Sequence, residues 1–271
     1  MPVMMNVLGI NIRLVSYDEM LGIYDGWLAH KEDRSHSVAL INVQTCVSAL
    51  LDKGLRDLYN EVDLAGCDSM PFLYWARLFY RRSADRLYAP DIMLEVSKRA
   101  KARGYTYYLY GGYPGAPEKI EDYLRQRYRG IAFAGEFSPP FRALSPAEDA
   151  GLCESVNQLR PDFVWVGLGS PKQDVWIREH RERIRGAIFV ASGATFDFFS
   201  GRIRQAPRWI RDAGLEWLFR LTQDFRRLWT RYTIKNIIFL FFFALQLLHI
   251  VSFDYQGYLC LFGRRTSFWN T

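Results

Sequence analysis

The stretch Asp162-Phe-Val-Trp-Val-Gly-Leu-Gly-Ser-Pro-Lys-Gln173 decides the fold. Residues 163–168 form a continuous apolar run, the pattern of a strand buried on both faces. The run stops in a glycine-containing turn, and Lys172-Gln-Asp-Val-Trp-Ile-Arg-Glu-His180 then has the composition of a helix. In such a strand-turn-helix unit Gly167 and Gly169 permit tight backbone geometry and close approach of a ligand. The first amides of the helix favour an anion such as a nucleotide diphosphate. A glycine turn here also serves purely structural ends in many α/β proteins, so the stretch alone fixes architecture and leaves function open.

Outward from it, strands and helices alternate. Upstream the pattern predicts a strand or hairpin over 7–14 around Gly9, and a helix from 17 to about 30 opened by Ser16 with Glu19. A buried strand over 38–42 follows, then one helix from about 45 to 59, and a short strand and turn within 61–68. A helix over 91–103, a strand over 105–110 closed by Gly111-Gly112, a helix over 117–128 and a strand over 131–135 come next. Ser145, Pro146 and Glu148 mark a helix start, and the helix should run to about 159. Downstream, a strand over 187–192 ends in Gly193-Ala-Thr-Phe-Asp197. This alternation predicts an α/β, Rossmann-like fold with a largely parallel sheet flanked by helices, and ligands at the strand ends. The expected division is an α/β catalytic domain over 1–200 and a C-terminal helical membrane-associating appendage over 201–271.

Charge supports that division. Nine Lys/Arg against three acids lie between Arg202 and Lys235, directly before the apolar run 237–251. A basic stretch followed by an apolar one is the pattern of an interfacial anchor facing anionic lipid. The run is shorter than the ~20 residues of a spanning helix and carries Gln246 and His249, so shallow insertion is expected. Residues 239–243, four of them Phe, read as too uniformly apolar for a one-sided surface helix. Cys46, Cys67, Cys153 and Cys260 contain no C-x-x-C pair, which argues against a disulfide framework or a structural zinc and fits a reducing compartment. The N-terminal Met1-Pro-Val-Met-Met-Asn6 lacks the features of a signal peptide, so export is not expected.

Several residues could carry chemistry. Asp68, at the end of a presumed strand, is either a turn aspartate or a general base; Asp197 either caps a turn or accepts a hydrogen bond from a nucleobase. Gln173 is a solvated first-turn residue or a ligand contact. Arg86, Arg220, Arg227 and Arg231 are surface charges or bidentate phosphate donors. No D-x-D is present, its nearest relative being Glu61-Val-Asp63, so no required metal is expected. There is no P-loop, and the missing third glycine after Gly167-Leu-Gly169 disfavours a dinucleotide oxidoreductase.

Val166-Gly-Leu-Gly-Ser-Pro-Lys-Gln-Asp-Val-Trp-Ile177, Gly193-Ala-Thr-Phe-Asp197, Gly201-Arg-Ile-Arg-Gln-Ala-Pro-Arg-Trp209 and Gly214-Leu-Glu-Trp-Leu-Phe-Arg220 together resemble the WecG/TagA/CpsF glycosyltransferase family. Tyr110-Gly-Gly-Tyr-Pro-Gly115, Asp91 and Asn42 fit the same pattern. The resemblance implies an inverting, metal-independent transferase without a cofactor. It would move N-acetylmannosamine, its uronic acid or glucose from a UDP-sugar to a polyprenyl-diphosphate-linked saccharide, forming a β-1,4 linkage in exopolysaccharide or envelope glycan. By resemblance Asp68 is the general base, although Ser69 replaces the usual glycine, and Asn42 and Arg86 belong to the catalytic set; Leu40 stands where some members have threonine. Gly111, Gly112, Gly167, Gly169 and Gln173 would serve the nucleotide, Asp197 the uracil, and Arg220, Arg227 and a shifted Arg231 the diphosphate. The partners implied are donor, acceptor and the cytoplasmic face of the inner membrane, met through about 235–253. Self-association is also implied, and nucleic acid is not. A non-catalytic nucleotide-binding membrane adaptor is the alternative; it would not need Asp68.

Overall fold

The computed structural model describes residues 3–31, 34–253, 259–261 and 264–265. In chain order the elements are β1 (Val3–Val7), β2 (Ile10–Leu14), α1 (Tyr17–Ala29), β3 (His36–Ile41), α2 (Val43–Leu51), α3 (Lys53–Glu61), β4 (Leu64–Cys67), α4 (Met70–Phe79) and α5 (Ala89–Arg103). They continue as β5 (Thr106–Gly111), α6 (Ala116–Arg127), β6 (Ala132–Phe137), α7 (Pro146–Leu159), β7 (Phe163–Gly167), α8 (Lys172–His180), β8 (Ile188–Ala191) and α9 (Gly193–Phe199). The last are α10 (Arg208–Asp212), α11 (Glu216–Gln223), α12 (Phe225–Leu247), β9 (Val251–Phe253), β10 (Leu259–Leu261) and β11 (Arg264–Arg265). The fold is mixed α/β, and the first eight strands are largely parallel. Two compact units divide the chain: Met1–Ser16, Leu40–Arg86 and Gln205–Thr271 form one, and Tyr17–Ala39 and Leu87–Arg204 the other.

In the second unit the strands run β3-β8-β7-β5-β6, every neighbouring pair parallel. Helices cover a parallel sheet on both faces, which is why β7 needs an unbroken apolar sequence: Phe163, Val164, Trp165 and Val166 are all fully buried. Tyr107 meets Phe163 and Trp165 edge to face, with centroids at 5.7 and 5.5 Å, the arrangement aromatic quadrupoles prefer. Asp162 locks the entry to β7. Its carboxylate accepts from the Thr106 amide and hydroxyl at 2.8 and 3.0 Å and pairs with Lys31 at 2.9 Å. The capping box expected at Ser145 is present, the Glu148 amide donating to Ser145 Oγ and the Ser145 amide to Glu148 Oε2. Helix α8 covers the residues 172–180 read from sequence.

In the first unit β1 and β2 form an antiparallel hairpin and β2 pairs with β4 in parallel. The single helix expected from 45 to 59 is two helices. Asp52 ends α2 and caps α3, its carboxylate accepting from the Leu55 amide at 3.1 Å. An aspartate followed by Lys53-Gly54 offers the backbone this local alternative, which a hydrophobic-period reading does not register.

Helix α12 resolves the puzzle of the Phe-rich run. One side packs: Phe239 lies 5.5 Å from Phe72, and Phe243 meets Trp75 at 4.6 Å, nearly perpendicular. Polar residues on α12 are consumed by the same unit, Lys235 donating to Ser48, Gln44 to Asn236, and Gln246 Nε2 to the Asn6 carbonyl while its Oε1 accepts from the Leu8 amide. Ile234, Ile237, Leu240, Phe241 and Leu248 remain exposed. The run is therefore two-sided, half core and half apolar surface. Among the described residues no helix is long and apolar enough to cross a membrane. Strands β9, β10 and β11 pair antiparallel.

Candidate active site

The first unit gathers Asn42, Asp68, Arg86 and Glu216. Asn42 caps α2, its side-chain oxygen accepting from the Thr45 amide and hydroxyl at 3.1 and 3.2 Å. Asp68 directly follows β4, its amide donating to the Ile41 carbonyl at 2.8 Å, so it is fixed at a strand end. Arg86 bridges two carboxylates, Nε to Asp68 Oδ1 at 2.8 Å and one terminal nitrogen to Glu216 Oε2 at 2.9 Å. Burial raises the Asp68 pKa most; the Arg86 charge opposes it, the Glu216 charge adds to it, and hydrogen bonds from Arg86 and Asn42 lower it, for a net value of about 6. Desolvation thus outweighs the guanidinium. Such a carboxylate is ionised at neutral pH and is a stronger base than a solvated aspartate. Arg220, one turn beyond Glu216 on α11, lies on the same helical side as that residue.

The second unit gathers the glycines, Gln173 and Asp197 at the carboxyl ends of β5, β7 and β8. A Cβ on Gly167 would lie 2.4 Å from the Phe196 ring, so the glycine is required by packing. The same ring closes on Gly112, and Gly111 lies against the Gly167 backbone. These glycines seat Phe196, and Phe196 seats its neighbour Asp197. Gly169 differs: its φ of +78° demands glycine, yet nothing lies within 4 Å of the space a side chain would take, leaving an open approach. Gln173 Oε1 accepts from the amides of Gly169 at 3.0 Å and Gly193 at 2.9 Å, tying two strand-end loops together. The amides expected to face a ligand at the start of α8 are partly engaged already, that of Gln173 with the Gly169 carbonyl and that of Asp174 with the Pro171 carbonyl, because the turn closes on itself. Asp197 Oδ1 lies 3.6 Å from Arg202. Arg202 and Lys119 each sit 5.5 Å from the Tyr113 ring, whose pKa is lowered, first by a hydrogen bond with Ser200 and further by Lys119 and Arg202.

A model of the glycosyl transferase WecG/TagA/CpsF family matches residues 5–251 of this 271-residue chain. The chain belongs to that family. It is accordingly a glycosyltransferase of cell-envelope glycan synthesis, a class that uses a sugar donor and a lipid-linked acceptor. As a WecG/TagA/CpsF member it carries Asp68, Arg86 and Asn42 together in one unit and Gly111, Gly112, Gly167, Gly169, Gln173 and Asp197 together in the other. The side chains of Arg227 and Arg231, on α12, lie outside the described residues.

Sequence reading did not assign a role to Glu216, Phe196, Lys119 or Arg202. Glu216 lies 130 positions from the arginine it pairs with, and only its place in Gly214-Leu-Glu-Trp217 marked it out. Phe196 lies in a quoted motif, but the clash that makes Gly167 obligatory depends on a separation in space that no local pattern records.

Proposed function

We propose that this glycosyltransferase takes a UDP-sugar as donor and transfers its hexose, with inversion, to a polyprenyl-diphosphate-linked saccharide in exopolysaccharide or related envelope-glycan assembly. Asp68 acts as general base, removing the proton of the acceptor hydroxyl as that oxygen attacks the anomeric carbon; the donor's bond to UDP breaks and UDP leaves with the electron pair. Arg86 holds the Asp68 carboxylate in one orientation, and Asn42 fixes its position from α2. In the second unit the open approach at Gly169 and the side chain of Asp197 receive the nucleotide. Gln173 acts through the two loops it ties, and Arg220, Arg227 and Arg231 take the diphosphate charge as it develops.

The single observation that carries this reading is the carboxylate of Asp68, its side chain 15% exposed, bridged through Arg86 to Glu216, and raised to a pKa of about 6 within a chain of this family. A turn aspartate with only a capping role has no use for that environment. We also propose peripheral attachment to anionic membrane through the exposed side of α12, where Ile237, Leu240 and Phe241 follow the basic stretch that ends at Lys235.

The test is UDP release from a panel of UDP-sugars, with and without a lipid-diphosphate-linked acceptor in liposomes, beside calorimetric UDP binding. Acceptor-dependent release with one donor supports the transferase and names its sugar. UDP binding without release for any donor and acceptor pair would replace it with the non-catalytic adaptor.

A further inference from the structure

The second unit contains a group outside the residues assigned to transfer. Asp149 and Cys153 lie four residues apart on α7, hence on one side of it, and His180 is the last residue of α8. One ligand atom from each falls within 4.8 Å of the other two. Cys153 and His180 are 6% and 4% exposed, so the group is sheltered, while Asp149 reaches the surface.

The histidine ring is held in one orientation. It stacks on Trp176 at 4.0 Å, and Trp176 stacks on Tyr110 at 4.0 Å. Its Nδ1 lies 2.7 Å from the Trp176 carbonyl oxygen, and a carbonyl can only accept, so Nδ1 carries a proton. Its Nε2 lies 2.8 Å from Asp149 Oδ1, another acceptor. A neutral imidazole with its proton on Nδ1 would aim a lone pair at that carboxylate oxygen, an arrangement that calls for a positive species shared between them. A second ring proton would meet the need of the histidine and aspartate alone. Cys153, packed with Val156 and Ile177 in the core, sets its sulfur within 4.8 Å of both as a third donor. Arg183 occupies the other carboxylate oxygen, Oδ2, at 2.5 Å, and leaves Oδ1 to the histidine side.

We infer that Asp149, Cys153 and His180 form a binding site for a zinc-class divalent cation, with His180 Nε2, Cys153 Sγ and Asp149 Oδ1 as ligands and solvent as the fourth. Imidazole, thiolate and carboxylate together suit zinc, and a ligating histidine ordinarily donates its other N–H to a carbonyl, as His180 does to Trp176. Bonds of about 2.0 to 2.3 Å at tetrahedral angles set donor atoms roughly 3.3 to 3.6 Å apart, so Nε2 and Oδ1 part slightly from 2.8 Å and the Cys153 sulfur settles beside them, by small side-chain rotations. Bound there, the cation pins α7 to the C-terminal end of α8. The N-terminal end of α8, about 10 Å away along the helix, carries Gln173, which ties the Gly169 and Gly193 loops. The site is thus a brace for the nucleotide side of this unit, and it takes no part in the transfer step.

The full-length protein, stripped with chelator, is titrated with Co2+ and followed by absorption. The expected result is saturation at one Co2+ per chain, with a thiolate-to-cobalt charge-transfer band and the strong d–d bands of a four-coordinate site, both abolished by Zn2+. Cys153→Ser loses the charge-transfer band, whereas Cys46→Ser and Cys260→Ser retain it. The melting temperature of the parent rises on adding Zn2+, a measurement that needs no variant to fold. Absence of a charge-transfer band in the parent, or a band that survives Cys153→Ser, would overturn the site and leave a histidine-aspartate-arginine network alone; neither result bears on UDP-sugar turnover.

Discussion

Asp68 is pulled in two directions, since burial favours the neutral acid and Arg86 favours the carboxylate. With a net pKa of about 6, the proposed general base would be fully available above that pH and lost as pH falls through it. Its partners shift this limb in opposite senses. Glu216→Gln removes a charge that raises the Asp68 pKa and should move the acid limb of kcat/KM to lower pH, while Arg86→Ala removes the opposing cation and should move it to higher pH. Identical limbs in both variants and the parent would detach the profile from Asp68. Stability carries its own sign. Because the folded pKa exceeds the ordinary 3.8, this group's contribution to stability is complete below that value and declines as pH rises through about 6. Asp68→Asn should flatten the dependence of unfolding free energy on pH across that window, as denaturant titrations at successive pH values would measure. Asp68 was visible in the sequence as a strand-end carboxylate, but Glu216 and the bridging geometry of Arg86 were not, since the three come from distant parts of the chain.

Helices and strands with strong local signals came through sequence reading nearly intact. The cap at Ser145, the apolar run of β7 and the span of α8 are all written in adjacent residues. The break at Asp52, where one side chain ends α2 and opens α3, is a competition between two hydrogen-bonding options that periodicity does not weigh. Helix α4 was not anticipated at all, its start being Ser69 with no side-chain capping bond and Pro71 in the first turn. The turn after β7 yields the sharpest expectation for an element. Gly167→Ala must push the Phe196 ring aside, and overpacking of this kind costs roughly 1 to 3 kcal/mol. Chemical denaturation should show that loss together with weaker UDP binding; unchanged stability and unchanged binding would mean that Phe196 yields freely and does not seat Asp197.

Across the chain, the membership set by residues 5–251 and the chemistry of Asp68 support transfer, while the exposed side of α12 supports where it happens. Sequence gave the basic stretch and the apolar run but not the two-sided use of α12, because the partners of Lys235, Asn236 and Gln246 come from α2 and the β1–β2 hairpin. Leu240→Ser with Phe241→Ser changes residues that are 65% and 60% exposed, so folding stability should move by no more than about 0.5 kcal/mol per site. Cosedimentation with anionic vesicles should fall severalfold, and raised salt should weaken what remains by screening the basic stretch. Undiminished cosedimentation would place the membrane contact elsewhere. The most direct measurement of the account is acceptor-dependent UDP release by the parent and by Asp68→Asn at pH 7.5, with UDP affinity measured on the same samples. A general base predicts UDP affinity unchanged and turnover reduced about 10² to 10⁴-fold in the variant, whereas parental turnover in Asp68→Asn would remove this carboxylate from the reaction.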